Sequence, residues 1–169
     1  MEYRSKPLGT SQSHVVAIHC SDPRYQPHFQ DFLHAGLGLT HYGLIAIPGG
    51  VELMSPSETS NTLRSQGGAW FDFMANLMKA ERVILIGHAD CRWYVESRIE
   101  PDESCLKEHQ SRDLNAVRAE IHRRFPLVDV ELYFAELQGE VVSFTELTEP
   151  VVTTTSRTRD RLHLQVESS

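Results

Sequence analysis

Three short apolar runs, separated by segments with helical patterns, constrain the fold of this chain more than any other feature. They cover residues 14–19, 43–47 and 82–87 and are rich in Val and Ile. Runs of roughly four to eight such residues, bounded by turn residues, are typical of strands buried on both faces. Because strands that alternate with helices form right-handed βαβ units, the sequence predicts an α/β fold with an open, mostly parallel sheet and flanking helices.

The segments between and after these runs show helical periodicity and then a strand pair. Pro27 and the phenylalanines that follow it indicate a first helix. A second helix carries an apolar stripe that we expect to face the core. Its members recur at spacings of three and four: Trp70, Phe71, Met74, Leu77 and Met78. A third helix ends at Pro126. Residues 128–137 and 140–147 predict a C-terminal hairpin-like addition around Gly139.

Length and charge restrict the domain organisation and the partners. The 169 residues suffice for one domain, which we place at residues 14–147, between an N-terminal arm (1–13) and a C-terminal tail (148–169). A net charge of -7 argues against a nucleic-acid or anionic-membrane surface. No apolar run approaches the ~20 residues that span a bilayer, and residues 1–7 lack the apolar stretch of a secretory signal. We therefore expect a cytoplasmic protein with a small-molecule substrate.

Two cysteines and a histidine stand at the ends of predicted strands. Cys20 follows the first strand, and His88 and Cys91 follow the third. Open parallel sheets bind ligands beyond the carboxyl ends of their strands, where the winding reverses. A strand order of 2-1-3-4 would put that reversal between the first and third strands and bring the three side chains together. Two thiolates and one imidazole suit tetrahedral zinc, and the open fourth position is typical of catalytic sites. We predict one Zn²⁺ ion here.

Asp22 and Arg24, two residues apart beyond the first strand, can form a charge-assisted pair. One role for Asp22 is to accept a hydrogen bond from water at the fourth zinc position, with Arg24 holding the carboxylate ionised and aimed. In that case both are catalytic residues. Alternatively, Asp22 itself takes the fourth position and closes the site. A surface ion pair worth at most about 1 kcal/mol is the third interpretation.

These residues carry a resemblance to a known family. Residues 20–24, Cys-Ser-Asp-Pro-Arg, resemble the Cys-x-Asp-x-Arg signature of the β-class carbonic anhydrases. Residues 87–91, Gly-His-Ala-Asp-Cys, resemble the Gly-His-x-x-Cys element of the same family. The resemblance implies a zinc-dependent, reversible hydration of CO2 to bicarbonate, with the Asp22–Arg24 pair orienting the attacking group. It also implies a homodimer or a dimer of dimers.

Two segments differ from that family and motivate further hypotheses. Residues 47–50 read Ile-Pro-Gly-Gly where the family has Arg-Asn-Ala-Gly, and residues 92–94 read Arg-Trp-Tyr where it has glycine after the second cysteine. A second hypothesis is therefore a zinc-binding homologue without efficient CO2 hydration, with a regulatory or assembly role or acting on a related electrophile such as COS or CS2. A third is a metal-free thiol-redox pair of Cys20 and Cys91, which the matched histidine disfavours because a redox pair needs none.

Overall fold

The computed structural model describes residues 1–2, 4–5, 12–55, 62–97 and 103–148. Five strands form its sheet: β1 (Val15–Cys20), β2 (Gly43–Ile47), β3 (Arg82–His88), β4 (Asp129–Gln138) and β5 (Val141–Glu146). Four α-helices accompany them: α1 (Gln26–Asp31), α2 (Thr62–Met78), α3 (Arg92–Ser97) and α4 (Glu103–Arg124). A π-helical turn (Phe32–Gly36) continues α1, and a 3-10 helix (Gly50–Met54) follows β2.

The sheet has the order β2-β1-β3-β4-β5, which confirms the predicted order of the first four strands and adds β5 at the edge. The first four strands are parallel, and β5 runs antiparallel to β4. Gly139, with φ 65°, takes the left-handed conformation in the tight turn between β4 and β5. The winding reverses between β1 and β3, because β2 lies on one side of β1 and β4 lies beyond β3.

Each face of the sheet has its own apolar core. On one face, the fully buried Val16 and Leu85 pack with residues of α2 and α4 such as Phe71 and Leu114. On the other face, Ala17 and Ile84 pack beneath α1, whose Phe29 is fully buried. The alternation of side chains along β1 and β3 therefore supplies both cores, which confirms that these two apolar runs are strands covered on both faces. The prediction of a buried strand was wrong in part for β2, an edge strand whose Leu44 and Ala46 are exposed.

The prediction that the whole apolar stripe of α2 faces the core was wrong in part. Phe71 is fully buried, and Met74 and Met78 pack against the same core. Trp70 and Leu77 instead remain 49% and 65% exposed. At 100° per residue they lie on an adjacent arc of the helix, which turns away from the sheet. The predicted tail falls outside the described residues except for Thr148, as does most of the predicted arm. Within the described ranges, no helix has the length and apolar character of a membrane span.

Candidate metal centre

The structure brings together the three predicted ligand side chains at the point where the winding reverses. Cys20 is the last residue of β1, His88 is the last residue of β3, and Cys91 follows the turn after β3. Their candidate ligand atoms all lie within 4.8 Å of one another. The two Sγ atoms are 3.8 Å apart, and all three residues are buried. Two strand ends and one tight turn thus place the three candidate ligand atoms close enough together to contact a single ion.

Two unusual backbone positions make this convergence possible. Asp90 has φ 52°, and this left-handed residue turns the chain sharply enough to bring Cys91 back toward His88. Gly50 has φ 56°, and a Cβ atom built on it would lie 2.9 Å from the backbone nitrogen of Cys20. Only glycine fits there without moving the strand end that carries Cys20.

The His88 ring is oriented as a metal ligand would be. Its Nδ1 donates to the carbonyl oxygen of Ala89 at 2.7 Å, which assigns the proton to Nδ1 and leaves a lone pair on Nε2. That Nε2 atom is buried and has no hydrogen-bond partner among the described residues. A buried imidazole nitrogen without a partner is costly in a protein that binds nothing there, whereas it fits a zinc ligand.

The two thiols differ in acidity because they share a hydrogen bond. A hydrogen bond joins Cys20 Sγ and Cys91 Sγ, and this bond is the main cause of a pKa for Cys20 far below that of a free thiol. The same bond, together with burial, raises the pKa of Cys91. The shared hydrogen bond therefore favours a thiolate on Cys20 and a protonated thiol on Cys91. Because metal ligands must be deprotonated, binding an ion would release the proton of Cys91.

Asp22 and Arg24 form a two-point ion pair beside the thiols. Arg24 donates from Nε to Oδ1 of Asp22 at 3.1 Å and from Nη2 to Oδ2 at 2.8 Å. The backbone N–H of Arg24 also donates to Oδ1, at 3.0 Å. These bonds lower the pKa of Asp22, so the carboxylate stays ionised. Arg24 Nη2 reaches the carbonyl oxygen of Asp90 as well, at 3.0 Å, and thereby links the β1 end to the turn that carries Cys91.

Asp22 is not a member of the three-residue ligand cluster in this conformation. Its side chain is only 8% exposed, and its oxygens accept from Arg24. The arrangement therefore resembles the open state, with Asp22 beside the cluster rather than within it. A tetrahedral ion held by the three candidate side chains would have a fourth position for a small molecule from the adjoining cleft.

A cleft of about 610 Å³ adjoins Cys20 and is lined by residues of the β1 end, the turn after β2 and α3. Trp93 forms part of its wall and packs against the buried cluster that contains Cys20 and Cys91. The indole lies directly over Gly49, where an added Cβ atom would be 2.2 Å from Trp93 Cδ1. Its Nε1 donates to the buried carboxylate of Glu52 at 3.0 Å. Arg92 also lines the cleft, and its Nη2 contacts Glu96 at 3.3 Å.

Several polar residues that hold the site in place were missed from the sequence. Gln26 Nε2 donates to the carbonyl oxygen of Cys20 at 2.7 Å. Tyr94 donates its hydroxyl proton to the buried carboxylate of Asp113 at 2.9 Å and so fastens α3 to α4. Gln110 bonds to the backbone of His88. The available signal was a polar residue on the apolar stripe of α4, since Gln110 lies four residues from both Leu106 and Leu114.

Comparison with known proteins gave matches by structure and none by sequence. No protein-family model and no curated protein matches the sequence. Similar solved structures include the β-carbonic anhydrase CcaA, with 14% identity, a TM-score of 0.47 and 78% of each chain covered. They also include tetrameric β-carbonic anhydrases of Sordaria macrospora, with 13% identity, a TM-score of 0.47, and 82% of this chain and 84% of that chain covered. The Aspergillus fumigatus enzyme CafA has 16% identity, a TM-score of 0.45, and coverage of 81% and 77%.

Proposed function

We propose that this chain binds one zinc ion through Cys20, His88 and Cys91 and catalyses the reversible hydration of CO2 to bicarbonate. The observation that carries the proposal is the convergence of three buried ligand atoms within 4.8 Å, beside an ionised carboxylate. Sulfur, sulfur and imidazole nitrogen are a donor set that suits zinc. When bound, zinc supplies a Lewis acid that makes water a nucleophile near neutral pH.

The chain's own residues orient the reactants. Asp22 accepts a hydrogen bond from the attacking water and so directs an oxygen lone pair at the carbon of CO2. Arg24 keeps that carboxylate ionised and fixed through its two-point contact. The water oxygen forms the new C–O bond, a C=O π pair moves onto oxygen, and one proton leaves to solvent. The apolar indole of Trp93 offers the cleft a surface that suits an uncharged substrate better than a charged one.

The wall formed by Trp93 also supports a second candidate function. The indole, with its packed partner Gly49, fills space between the turn after β2 and α3. A changed wall changes which molecules reach the fourth position while leaving the three ligands in place. The second candidate is therefore a zinc-binding homologue that hydrates CO2 inefficiently, in a regulatory or assembly role or with COS or CS2 as substrate.

The proposal is tested by metal analysis together with stopped-flow CO2 hydration. We expect one equivalent of zinc in the purified protein and its loss in Cys91→Ser. Cys105→Ser is the matched control, because Cys105 is exposed and lies outside the ligand cluster. Asp22→Asn should keep the zinc and lower kcat/KM by about a hundredfold or more, since it removes the charged acceptor but not a ligand.

Two results would count against the proposal in different ways. Zinc content that is negligible, or unchanged in Cys91→Ser, contradicts the metal site. Full zinc content without zinc-dependent CO2 hydration between about pH 7 and pH 9 contradicts the activity and favours the second candidate. Hydration of COS or CS2 by the same preparation would then assign the substrate.

We further propose that the chain works as a homodimer or a dimer of dimers. Strand β2 is an edge of the described sheet, and beside it lies an exposed apolar surface formed by Leu44, Trp70 and Phe73, called here the β2–α2 face. These side chains are 41%, 49% and 66% exposed. They present roughly 300–400 Å² of apolar surface, about half of what one partner buries in a standard interface. A second copy related by a twofold axis would cover both the patch and the open strand edge.

A further inference from the structure

Gln110 of α4 makes both of its side-chain hydrogen bonds to one residue, His88. Its Oε1 accepts from the backbone N–H of His88 at 3.2 Å, and its Nε2 donates to the backbone carbonyl oxygen of His88 at 2.8 Å. Gln110 is only 2% exposed, so these bonds are shielded from water. A side-chain amide that pairs with the N–H and C=O of one residue does what a neighbouring strand does in a ladder.

His88 needs such a partner because of where the sheet ends. The β1–β3 ladder stops at the pair of His19 and Ile86, two residues before His88. On the other side of β3, the ladder to β4 continues to the end of the strand. A buried backbone donor and acceptor that lack a strand must find another partner. Gln110 provides it, and the helix α4 thereby fixes the last peptide of β3.

The chain also keeps space open for this contact. A Cβ atom built on Gly87 would lie 3.2 Å from Gln110 Oε1 and 3.2 Å from Leu114 Cδ1. These distances are shorter than ordinary van der Waals contacts. Because Gly87 has no Cβ atom, the side chains of α4 can approach the end of β3. The Ala89 N–H donates to the carbonyl oxygen of Ala135 at 2.8 Å on the β4 side. The peptides on both sides of the His88 Cα atom are therefore held.

We infer that Gln110 is a positioning residue for the metal ligand His88. Fixing the backbone of His88, together with the Nδ1 contact to Ala89, leaves the ring little freedom and holds Nε2 at the ligand cluster. Pre-orientation of a ligand by the groups around it typically changes metal affinity by about 10–100-fold. The inference rests on the proposed zinc site, and it does not depend on the reaction carried out there.

The test measures zinc affinity and the absorption spectrum of the Co²⁺-substituted protein in three variants. Gln110→Met has a similar length and makes neither bond, and we expect a zinc Kd about 10–100-fold above wild type, with shifted Co²⁺ d–d bands. Gln110→Glu keeps the oxygen that accepts from the His88 N–H and loses the donor. We expect the zinc Kd of Gln110→Glu to lie between those of wild type and Gln110→Met. If Gln110→Met does not fold, the Kd of Gln110→Glu tests the inference instead.

Leu114→Met is the matched control, because Leu114 is fully buried on the same side of α4 and packs at Gly87 without any polar contact to His88. It should lower the melting temperature while changing the zinc Kd by less than about threefold. An unchanged Kd in both Gln110 variants overturns the inference, as does a loss of affinity in Leu114→Met that equals the loss in Gln110→Met. If wild type binds no zinc, the proposed function fails instead.

Discussion

Gly50 is the position at which the packing of the candidate metal centre can be tested most directly by adding one methyl group. An alanine there meets two separate costs. The first is φ 56°, which costs an L-residue roughly 1–2 kcal/mol. The reduced entropy of the unfolded chain offsets about 0.4–1 kcal/mol of it. The second is contact of the new Cβ atom with Cys20 N at 2.9 Å and His19 C at 3.0 Å. Backbone atoms cannot rotate away, so we add the 1–3 kcal/mol that is typical of overpacking, for a total of about 1–4.5 kcal/mol.

Gly139 provides the matched control for this substitution. It has φ 65°, and no heavy atom lies within 4 Å of a Cβ atom built on it. Gly139→Ala therefore carries only the backbone cost, and we expect it to lose about 1 kcal/mol and about 2–4 °C in melting temperature. Zinc affinity should stay at the wild-type value in Gly139→Ala and should fall in Gly50→Ala, because the clash is with the peptide of a ligand.

Urea unfolding of the zinc-free proteins gives the free energies, and competition with a chelator gives the zinc affinities. Zinc must be absent from the unfolding measurement, because metal that binds only the folded state would add its own binding free energy. If Gly50→Ala loses no more stability than Gly139→Ala, the close approach of the turn after β2 to the β1 end does not restrict the residue at position 50. The account of how Cys20 is held would then be refuted.

Three further predictions concern the rest of the chain. Glu131→Gln should cost about 1 kcal/mol at pH 7, since Arg82 is the main cause of the lowered pKa of Glu131. That stabilisation is present above the unfolded pKa of about 4.5 and is lost as pH falls through the lower folded value, so the urea curves of variant and wild type should converge below that range. Phe73→Glu should shift the mass measured by light scattering toward the monomer, whereas Leu127→Glu, at a residue 95% exposed and outside the β2–α2 face, should not. A thiol reagent should modify Cys105 at once in the zinc-loaded protein, and the two buried thiols only after chelation.

The sequence was informative wherever local patterns alone determine the structure. The three β-branched runs became β1, β2 and β3, because an apolar segment of that length between turn residues has few alternatives to a buried strand. Cys20, His88 and Cys91 could be placed together since strand ends meet at the reversal of winding. The roles of Asp22 and Arg24 stay predictions, although their side chains do pair.

What the sequence left open depends on which surfaces meet in space. The α2 stripe was wrong at Trp70 and Leu77 because periodicity shows that a helix has an apolar arc but not where its packed arc ends. Gln110 is a polar residue on the apolar stripe of α4, but its partner is a peptide group, which every residue carries, so no residue type in the sequence identifies His88 as that partner. Such contacts are specified by tertiary packing alone.

The two segments that differ from the β-carbonic anhydrase pattern form one structural unit in this chain. Trp93 follows the second cysteine, and its indole lies on Gly49 of the turn after β2, at a distance that leaves no room for a Cβ atom. The indole in this position therefore requires glycine at residue 49. The bond from Trp93 to the buried Glu52 anchors the unit, which forms a wall of the cleft and packs against the buried cluster that contains Cys20 and Cys91. If the proposed zinc site acts on a small electrophile, we therefore expect its substrate preference to depend on this wall.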